Sequence, residues 1–315
     1  MGDIKLFRQT AKNLSELPSH TIQIEKSLQT LFEQNLDALL GVRFLATEHS
    51  TGKTHLGRID TLGIDEDGSP VIIEFKRTLG ENVMAQALFY LDWLVDHKKD
   101  FEWLVLEKLG SDAAKKIDWS EPRVVCIASD FTRYDQHAVK QMAGNRELLR
   151  YKRYGEDILL LELVHAPNAA QSPTPKQAVS PATEQGAGEG PDTDPYYSHR
   201  IRYRMSQMSG PLKDLFDSVW SHMASLGDDV QISERMQYIA FKRIKNFACL
   251  EVYPQPKVIT LFLKVDPSTV KLEEGFTRDV THIGHYGTGN LQVSIRNQDD
   301  FDRAQPLILR SYEQS

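Results

Sequence analysis

Alternating apolar and polar positions predict that a β-hairpin organises the first half of the chain. Residues 57–64 and 71–76 have strand character, and the segment between them, 65–69, consists of turn formers that include Asp-Gly. A turn centred on this segment would place Ile64 opposite Pro70. The hairpin therefore has a defined expected register.

The same register would bring three charged side chains together. Asp60 would face Glu74, and Lys76 would project from the same face as Glu74 because it follows by two residues. Directly opposed residues in a sheet have Cβ atoms roughly 4.5–5.5 Å apart. We therefore expect two carboxylates and an ammonium group to form one cluster.

Apolar residues at helical spacing predict three helices in the first 165 residues, and short apolar runs predict the strands. The segment 101–109 fits either a helix or a strand. The predicted order is helix, three strands, helix, strand, helix and closing strands. The helices are predicted over 21–40, 81–97 and 134–143, and the strands outside the hairpin over 42–47, 123–129, 148–154 and 158–164.

A change in composition divides the chain into two predicted domains, 1–165 and 196–315. Residues 166–195 are rich in Pro, Ala, Gly, Ser, Thr and Gln and lack apolar periodicity, so we expect a flexible linker. The second domain is predicted to be a small α+β unit. Its strands are expected over 196–204, 237–242, 248–253, 258–265, 281–286 and 290–295, and its helices over 211–226 and 299–312.

Composition restricts the class of protein. Apolar residues make up 40% and charged residues 26% of the 315 positions, which is typical of a globular chain. No apolar run approaches the ~20 residues of a membrane helix, and the N-terminus lacks a signal-peptide core, so we expect no membrane association and a cytoplasmic location. The net charge of −7 disfavours a broad nucleic-acid-binding surface but allows a local basic groove. Cys126 and Cys249 lie in apolar segments and are expected to be buried thiols.

The expected charged cluster suits a divalent cation. Opposed carboxylates destabilise a sheet, and a cation between them offsets that cost. Mg²⁺ is a hard ion that uses one or two carboxylates together with phosphate oxygens. Asp60 and Glu74 are therefore candidate ligands for Mg²⁺ or Mn²⁺, and Lys76 would steady a water or offset phosphate charge. The alternative is a solvated ion cluster.

These residues also carry a resemblance to a known family. Ile59-Asp60, thirteen intervening residues and then Glu74-Phe75-Lys76 resemble the signature of the PD-(D/E)XK nuclease superfamily. With Gly57-Arg58 before the Asp and an apolar second strand, the segment is similar to the branch that contains RecB-type and archaeal structure-specific endonuclease domains. The Pro that usually precedes the Asp is absent.

The resemblance implies a restriction-endonuclease-like αβββαβ core with a mixed sheet over about the first 165 residues. It implies a Mg²⁺- or Mn²⁺-dependent endo- or exodeoxyribonuclease with a role in DNA repair, restriction or defence. Asp60, Glu74 and the backbone carbonyl of Phe75 would hold the metal, and Lys76 would act in catalysis.

The resemblance also implies roles for two helices. In this superfamily the first core helix often supplies a Glu to the metal, and Glu25 lies within the apolar stripe of the predicted helix, whereas Glu33 lies outside it. The alternative for Glu25 is an edge position that reaches solvent or pairs with an Arg. Gln86 and Tyr90, one turn apart, would border the site and contact DNA. Without the signature, Tyr90 would be a core aromatic.

Five arginines are candidate nucleic-acid contacts. Arg58 and Arg77 flank the signature, and the other three alternate with apolar residues at the start of the second domain, where a strand would place them on one face. The alternative for this strip is an edge strand with a solvated face. The three are Arg200, Arg202 and Arg204.

The second domain resembles a small uncharacterised domain found in proteins labelled "predicted transport protein". His282 and His285 lack further ligands at metal-binding spacing, and Gly284 and Gly287 are expected to mark turns. Two functions stay open: a nuclease acting on DNA, and a non-catalytic nuclease-like scaffold whose second domain recognises a protein partner or a ligand. A homodimer is compatible with both.

Overall fold

The computed structural model describes residues 4–20, 25–52, 56–76, 83–167 and 200–315. The chain divides into two compact units, Met1–Pro167 and Asn168–Ser315, and each has its own sheet and its own hydrophobic core. Most of the predicted linker lies outside the described residues.

The N-terminal unit contains a small antiparallel hairpin and a seven-stranded mixed sheet. The hairpin strands are β1 (Leu6–Gln9) and β2 (Leu14–Leu17), and the sheet strands are β3 (Ser19–His20), β4 (Val42–Ser50), β5 (Arg58–Asp65), β6 (Pro70–Lys76), β7 (Arg123–Ala128), β8 (Arg146–Tyr154) and β9 (Ile158–His165). The order is β3-β8-β7-β6-β5-β4, with β9 also paired to β8. The β6–β7 and β7–β8 pairs are parallel, and the others are antiparallel. The predicted α/β fold with a mixed sheet is confirmed.

Helices pack on both faces of this sheet. They are α1 (Glu25–Gln34), α2 (Leu36–Leu40), α3 (Val83–Asp96), α4 (Lys98–Leu109), α5 (Ser111–Ala114) and α6 (Arg133–Lys140). Phe32 of α1 packs edge-on against Phe75 of β6, with ring centroids 5.6 Å apart. Ile72 of β6 belongs instead to the core that includes Met84 of α3. Because side chains alternate along a strand, the even-numbered residues of β6 face α3.

The predicted hairpin has the predicted register. Ile64 pairs with Pro70 and Thr61 pairs with Ile73. The turn is closed by the carboxylate of Asp65, whose Oδ1 accepts hydrogen bonds from the backbone amides of Asp67 and Ser69 at 3.0 and 2.8 Å. Such Asx geometry is the reason that Asp is favoured at this position of a turn.

Three local features of the N-terminal unit differ from the predictions or complete them. Residues 4–20 contain strands that the apolar pattern does not indicate, because β1 and β2 are short and largely exposed. Strand β4 continues to Ser50, past the predicted end at residue 47. The ambiguous segment 101–109 belongs to helix α4.

The C-terminal unit is a six-stranded antiparallel sheet with helices. Its helices are α7 (Ile201–Ser206), α8 (Pro211–Ala224) and α9 (Gln298–Glu313), and its strands are β10 (Gln231–Glu234), β11 (Ile239–Lys242), β12 (Asn246–Tyr253), β13 (Val258–Leu263), β14 (Thr277–Asp279) and β15 (Leu291–Ile295). The order is β10-β11-β12-β13-β15-β14. Apolar side chains of α8 and α9 share one core with the sheet. This is the predicted α+β unit.

Two predicted strands of this unit are wrong. The segment that begins at Arg200 forms helix α7, because Ile201 and Met205, one turn apart, both contact the core. Alternation over so few residues does not separate a strand from a helix. The predicted strand over 281–286 is a turn region, and the strand of that hairpin is β14, slightly earlier in the chain. Across the described residues, no helix combines the length and apolar character needed to cross a bilayer.

Candidate functional site

Two carboxylates meet where the β5–β6 ladder ends. The ladder's last backbone pair is Thr61 with Ile73, and beyond it the side chains take over the hydrogen bonding. The amide of Phe75 donates to Asp60 Oδ2 at 2.9 Å, and the amide of Asp60 donates to Glu74 Oε1 at 3.1 Å. These two bonds engage one oxygen of each carboxylate and fix both side chains to the strand ends.

The two carboxylates differ in exposure. Glu74 is fully buried, whereas Asp60 is partly exposed. A buried carboxylate requires compensating hydrogen bonds or charges, and Glu74 has the amide of Asp60 as one such partner. Cys126 of β7 is paired with Glu74 across the parallel ladder. Burial, and secondly the charge of Glu74, raises the pKa of the Cys126 thiol, so this neighbour remains protonated.

A polar chain connects β6 to helix α3. Lys76 Nζ donates to Gln86 Oε1 at 3.0 Å, and Gln86 Nε2 donates to the hydroxyl of Tyr90 at 3.0 Å. Tyr90 is buried, and its ring lies against Gly57 at the start of the hairpin. A Cβ at position 57 would stand 2.5 Å from Cε1 of Tyr90, so any larger residue there would require the ring to move. The predicted residues Lys76, Gln86 and Tyr90 are therefore brought together.

Helix α1 reaches the same strand through residues that the sequence patterns did not single out. Gln29 Nε2 donates to the backbone carbonyl of Asp60 at 2.6 Å and to Glu33 Oε1 at 3.0 Å. Glu33 Oε1 also accepts from the hydroxyl of Thr61 at 2.7 Å. These contacts hold the backbone of β5 at the carboxylate pair.

The apolar stripe is what concealed Gln29 and Glu33. Glu33 lies outside the predicted apolar stripe and Gln29 is not one of its apolar positions, yet both side chains bond to β5. A signal was available in the spacing, because Glu25, Gln29 and Glu33 recur every four residues along one helix face. Glu25 is the first residue of α1, and its side chain lies outside the described residues.

Four of the five candidate arginines lie among the described residues. Arg58 is exposed and pairs with Glu48 at 3.3 Å, and Arg77 lies outside the described residues. In the C-terminal unit, the predicted strip of Arg200, Arg202 and Arg204 is corrected, because a helix spreads these positions around its axis. Arg204 is buried and pairs with a glutamate, whereas Arg202 is exposed and pairs with another.

The chemistry of the donor set fits a hard divalent cation. Asp60, Glu74 and the carbonyl of Phe75 offer oxygen donors alone, which Mg²⁺ and Mn²⁺ prefer. Within the described ranges, no group of three or more His, Cys, Asp or Glu side chains could hold a metal. Mg²⁺ commonly binds through one or two carboxylates and completes its coordination with water and phosphate oxygens. A two-carboxylate site therefore suits this ion when a phosphate is present.

His285 of the C-terminal unit contacts backbone carbonyls and an aromatic ring. Both ring nitrogens of His285 lie 3.0 Å from backbone carbonyl oxygens, those of Tyr286 and Gly289. The ring also stacks on Phe262 with centroids 4.2 Å apart. These contacts fasten the turn over the sheet.

Comparisons with known proteins give one family match and one full-length relative. A family described as "Domain of unknown function (DUF5655)" matches residues 205–315, within the predicted second domain. An uncharacterized protein of Haemophilus influenzae is 26% identical over 307 residues, which cover 97% of this chain and 98% of that protein.

Two solved structures show a likeness to part of the chain. A repair endonuclease from Pyrococcus abyssi is 18% identical with a TM-score of 0.27, over 42% of this chain and 48% of that one. The structure of an EndoMS-dsDNA2 complex is 19% identical with a TM-score of 0.24, over 45% of this chain and 49% of that one. The chain thus covers about half the length of each.

Proposed function

We propose that the N-terminal unit is a metal-dependent nuclease that hydrolyses DNA phosphodiester bonds. The observation that carries this proposal is the meeting of Asp60, Glu74 and Lys76 on one face at the diverging end of the β5–β6 hairpin. Two carboxylates beside an ammonium group provide both ion binding and compensation for phosphate charge. The site lies on two strands of the central sheet, and such rigid elements hold reacting groups in place.

Asp60, Glu74 and the carbonyl of Phe75 would hold a Mg²⁺ or Mn²⁺ ion. When bound, such an ion lowers the pKa of its water and polarises the scissile phosphate. In hydrolysis, water forms a new bond to phosphorus and the bond to one sugar oxygen breaks. One product then carries the phosphate, and the other carries a hydroxyl group.

Lys76 has the catalytic role in this proposal. Its ammonium group donates hydrogen bonds and carries a positive charge, so it orients the attacking water and offsets the charge that develops on the phosphate. Gln86 accepts a hydrogen bond from Nζ at 3.0 Å, and this bond sets the direction of the flexible lysine side chain. Gln86 is thus a positioning residue, and Tyr90 supports it from the next helical turn.

A second candidate function is a non-catalytic scaffold. The observation in its favour is that several of these polar groups already hydrogen-bond within the protein: two strand amides each bind one carboxylate oxygen, and Gln86 binds Lys76. Such a network also stabilises the end of a hairpin without any ion. This candidate assigns recognition of a partner or ligand to the C-terminal unit.

Cleavage assays distinguish the two candidates. The full chain is incubated with duplex, single-stranded and branched DNA, and with matched RNA, in Mg²⁺, Mn²⁺ or EDTA. We expect metal-dependent DNA cleavage that Asp60→Ala and Lys76→Ala abolish, whereas Glu107→Gln, an exposed change on α4, preserves it. Cleavage that persists unchanged in both site variants would overturn the assignment of this site.

A further inference from the structure

The C-terminal unit has a pocket that the proposed nuclease does not use. It has a volume of about 480 Å³ and lies between helix α7 and the turn that follows β12. Pockets that hold small molecules commonly have volumes of about 300–1,000 Å³. The wall combines two tyrosines, two glutamines, two prolines and one arginine. Flat rings and polar groups with both donors and acceptors therefore face the same space.

The arginine of the wall is buried and its charge is neutralised. Arg204 is 7% exposed, and its Nη1 donates to Glu251 Oε2 at 3.2 Å. Glu251 is itself 1% exposed. Arg204 lines the pocket, and its pairing with Glu251 leaves no net positive charge on this wall. A phosphate or carboxylate group would therefore find no uncompensated cation at this wall, which disfavours an anion as the recognised group.

Tyr253 contacts both members of the Arg204–Glu251 pair and holds them in place. The guanidinium of Arg204 lies over the ring of Tyr253, 4.5 Å from its centroid, and the hydroxyl of Tyr253 donates to Glu251. Burial, followed by the bond to Glu251, raises the pKa of Tyr253 to about 12, so the hydroxyl stays protonated and donates. The wall thus consists of a stacked guanidinium and aromatic ring held in one place.

The remaining groups supply stacking and edge recognition. Tyr203 adds a second aromatic ring, and Pro254 and Pro256 add rigid apolar surface. Gln207 and Gln255 contribute carboxamides, each with one acceptor and two donors. Unstacked bases are recognised by stacking on aromatic rings or guanidinium planes and by hydrogen bonds to their edges. The groups in this pocket match those requirements.

We propose that this pocket binds a nucleobase, with the tyrosines stacking on the ring and the glutamine carboxamides hydrogen-bonding its edge. The proposal does not rest on the nuclease site, which is in the other unit. The base could belong to a free nucleotide or to an unpaired position of a nucleic-acid strand, and the chemistry recognised is the same. Because the wall is neutral, affinity should depend little on a phosphate group or on salt.

The first test uses nucleosides, which lack phosphates. The full chain in EDTA is titrated with adenosine, guanosine, cytidine and thymidine by calorimetry and saturation-transfer NMR. We expect saturable binding of at least one nucleoside. Its dissociation constant should change less than twofold between about 0.05 and 0.5 M salt, because few ions are released on binding. Loss of one stacking ring typically weakens base binding roughly 5- to 150-fold, and we expect a loss in that range for Tyr203→Ala.

Matched variants keep this test specific. Tyr203 is half-buried and Gln207 is exposed, so Tyr203→Ala and Gln207→Ala should leave the fold intact, as circular dichroism would verify. Tyr286→Ala removes an exposed tyrosine that does not line the pocket and should bind like the wild type. Absence of saturation by all four nucleosides at millimolar concentration overturns the proposal, and so does equal weakening by Tyr203→Ala and Tyr286→Ala.

A second arm identifies the source of the base. A single-stranded oligonucleotide with one base among abasic positions is compared with a fully abasic strand and with the matching nucleoside. If the one-base strand binds more tightly than both the abasic strand and the nucleoside, and Tyr203→Ala removes this advantage, the pocket binds bases carried by a strand. Equal binding of nucleoside and one-base strand assigns it to free nucleotides. Both binding tests are carried out in EDTA, which removes divalent metal ions. Their results therefore do not depend on whether the protein cleaves DNA.

Discussion

The backbone amide of Asp60 donates to Glu74 Oε1 at 3.1 Å, so the two carboxylates of the candidate site are joined through the main chain. The amide of Phe75 makes the reciprocal contact with Asp60 Oδ2. The strands therefore separate at this point without losing their hydrogen bonds. The relative position of the two carboxylates is thus set by sheet geometry, and it does not depend on a mobile loop.

Ion binding at this pair should be visible as a gain in stability. A ligand that binds only the folded state stabilises it by RT ln(1 + [L]/Kd), about 1.4 kcal/mol at ten times Kd. We expect Mn²⁺ or Mg²⁺ to raise the melting temperature of the wild type relative to EDTA. Asp60→Asn should remove this response because it removes a charged ligand. Differential scanning fluorimetry across a metal titration is the measurement.

The control for this response is Asp112→Asn, which alters an exposed aspartate of α5 and should leave the metal effect intact. Equal metal-induced shifts in the wild type and in Asp60→Asn would contradict ion binding at the carboxylate pair. Because the readout is stability, it also tests the ion site if cleavage requires a substrate absent from the DNA panel.

Gly57→Ala should disturb the site indirectly, by displacing the ring of Tyr90. The new methyl group would stand 2.5 Å from Cε1 of Tyr90, and the ring would have to move. Overpacking of this kind typically costs about 1–3 kcal/mol. We expect a loss of that size in the free energy of unfolding, measured by urea denaturation, together with slower DNA cleavage. Gly284→Ala, at a position with open space around it, should cost less than about 0.5 kcal/mol.

Gln86→Ala should slow DNA cleavage while leaving the fold unchanged. Gln86 accepts the hydrogen bond of Lys76, and its loss frees the lysine to adopt other rotamers. Supporting residues of this kind typically contribute 10- to 100-fold to activity, and we expect a loss of roughly that size in kcat with little change in KM. Gln34→Ala, an exposed change in α1, is the control. A rise in KM alone would indicate a substrate contact for Gln86.

The hairpin was predictable because its information is local. Period-two alternation and an Asp-rich turn determine the register of β5 and β6, and register in turn determines that Asp60 and Glu74 meet. The Lys76–Gln86 contact could be anticipated only through the family resemblance. Nothing in the spacing of these two residues predicts that helix α3 crosses the end of β6 at that point.

The contacts of α1 and the structure of α7 were not predictable for physical reasons. A hydrophobic stripe identifies the helix face that enters an apolar core, and it is silent about a polar face that docks through hydrogen bonds, as Gln29 and Glu33 do. In α7, Ile201 and Met205 satisfy helical spacing, while the arginines between them also satisfy strand alternation. Because both patterns are present, tertiary packing determines whether the segment forms a helix or a strand.

The bond between Glu33 and Thr61 should prove to be an energetic link between α1 and β5. Thr61 is fully buried, and its hydroxyl donates to Glu33 Oε1 at 2.7 Å. Glu33→Ala leaves this hydroxyl without that acceptor, which typically costs about 1–3 kcal/mol, and Thr61→Val removes the donor with little change in shape. We expect the double variant to be more stable than the sum of the single losses predicts, by about 0.5–2 kcal/mol.

Urea denaturation of the four proteins in this cycle measures the coupling between the two residues. Thr10→Val supplies the control, because Thr10 hydrogen-bonds to the backbone of Asn13 in the exposed β1–β2 turn. Its effect should add to that of Glu33→Ala within about 0.5 kcal/mol. If the Glu33–Thr61 pair is equally additive, this bond does not link α1 to β5 energetically.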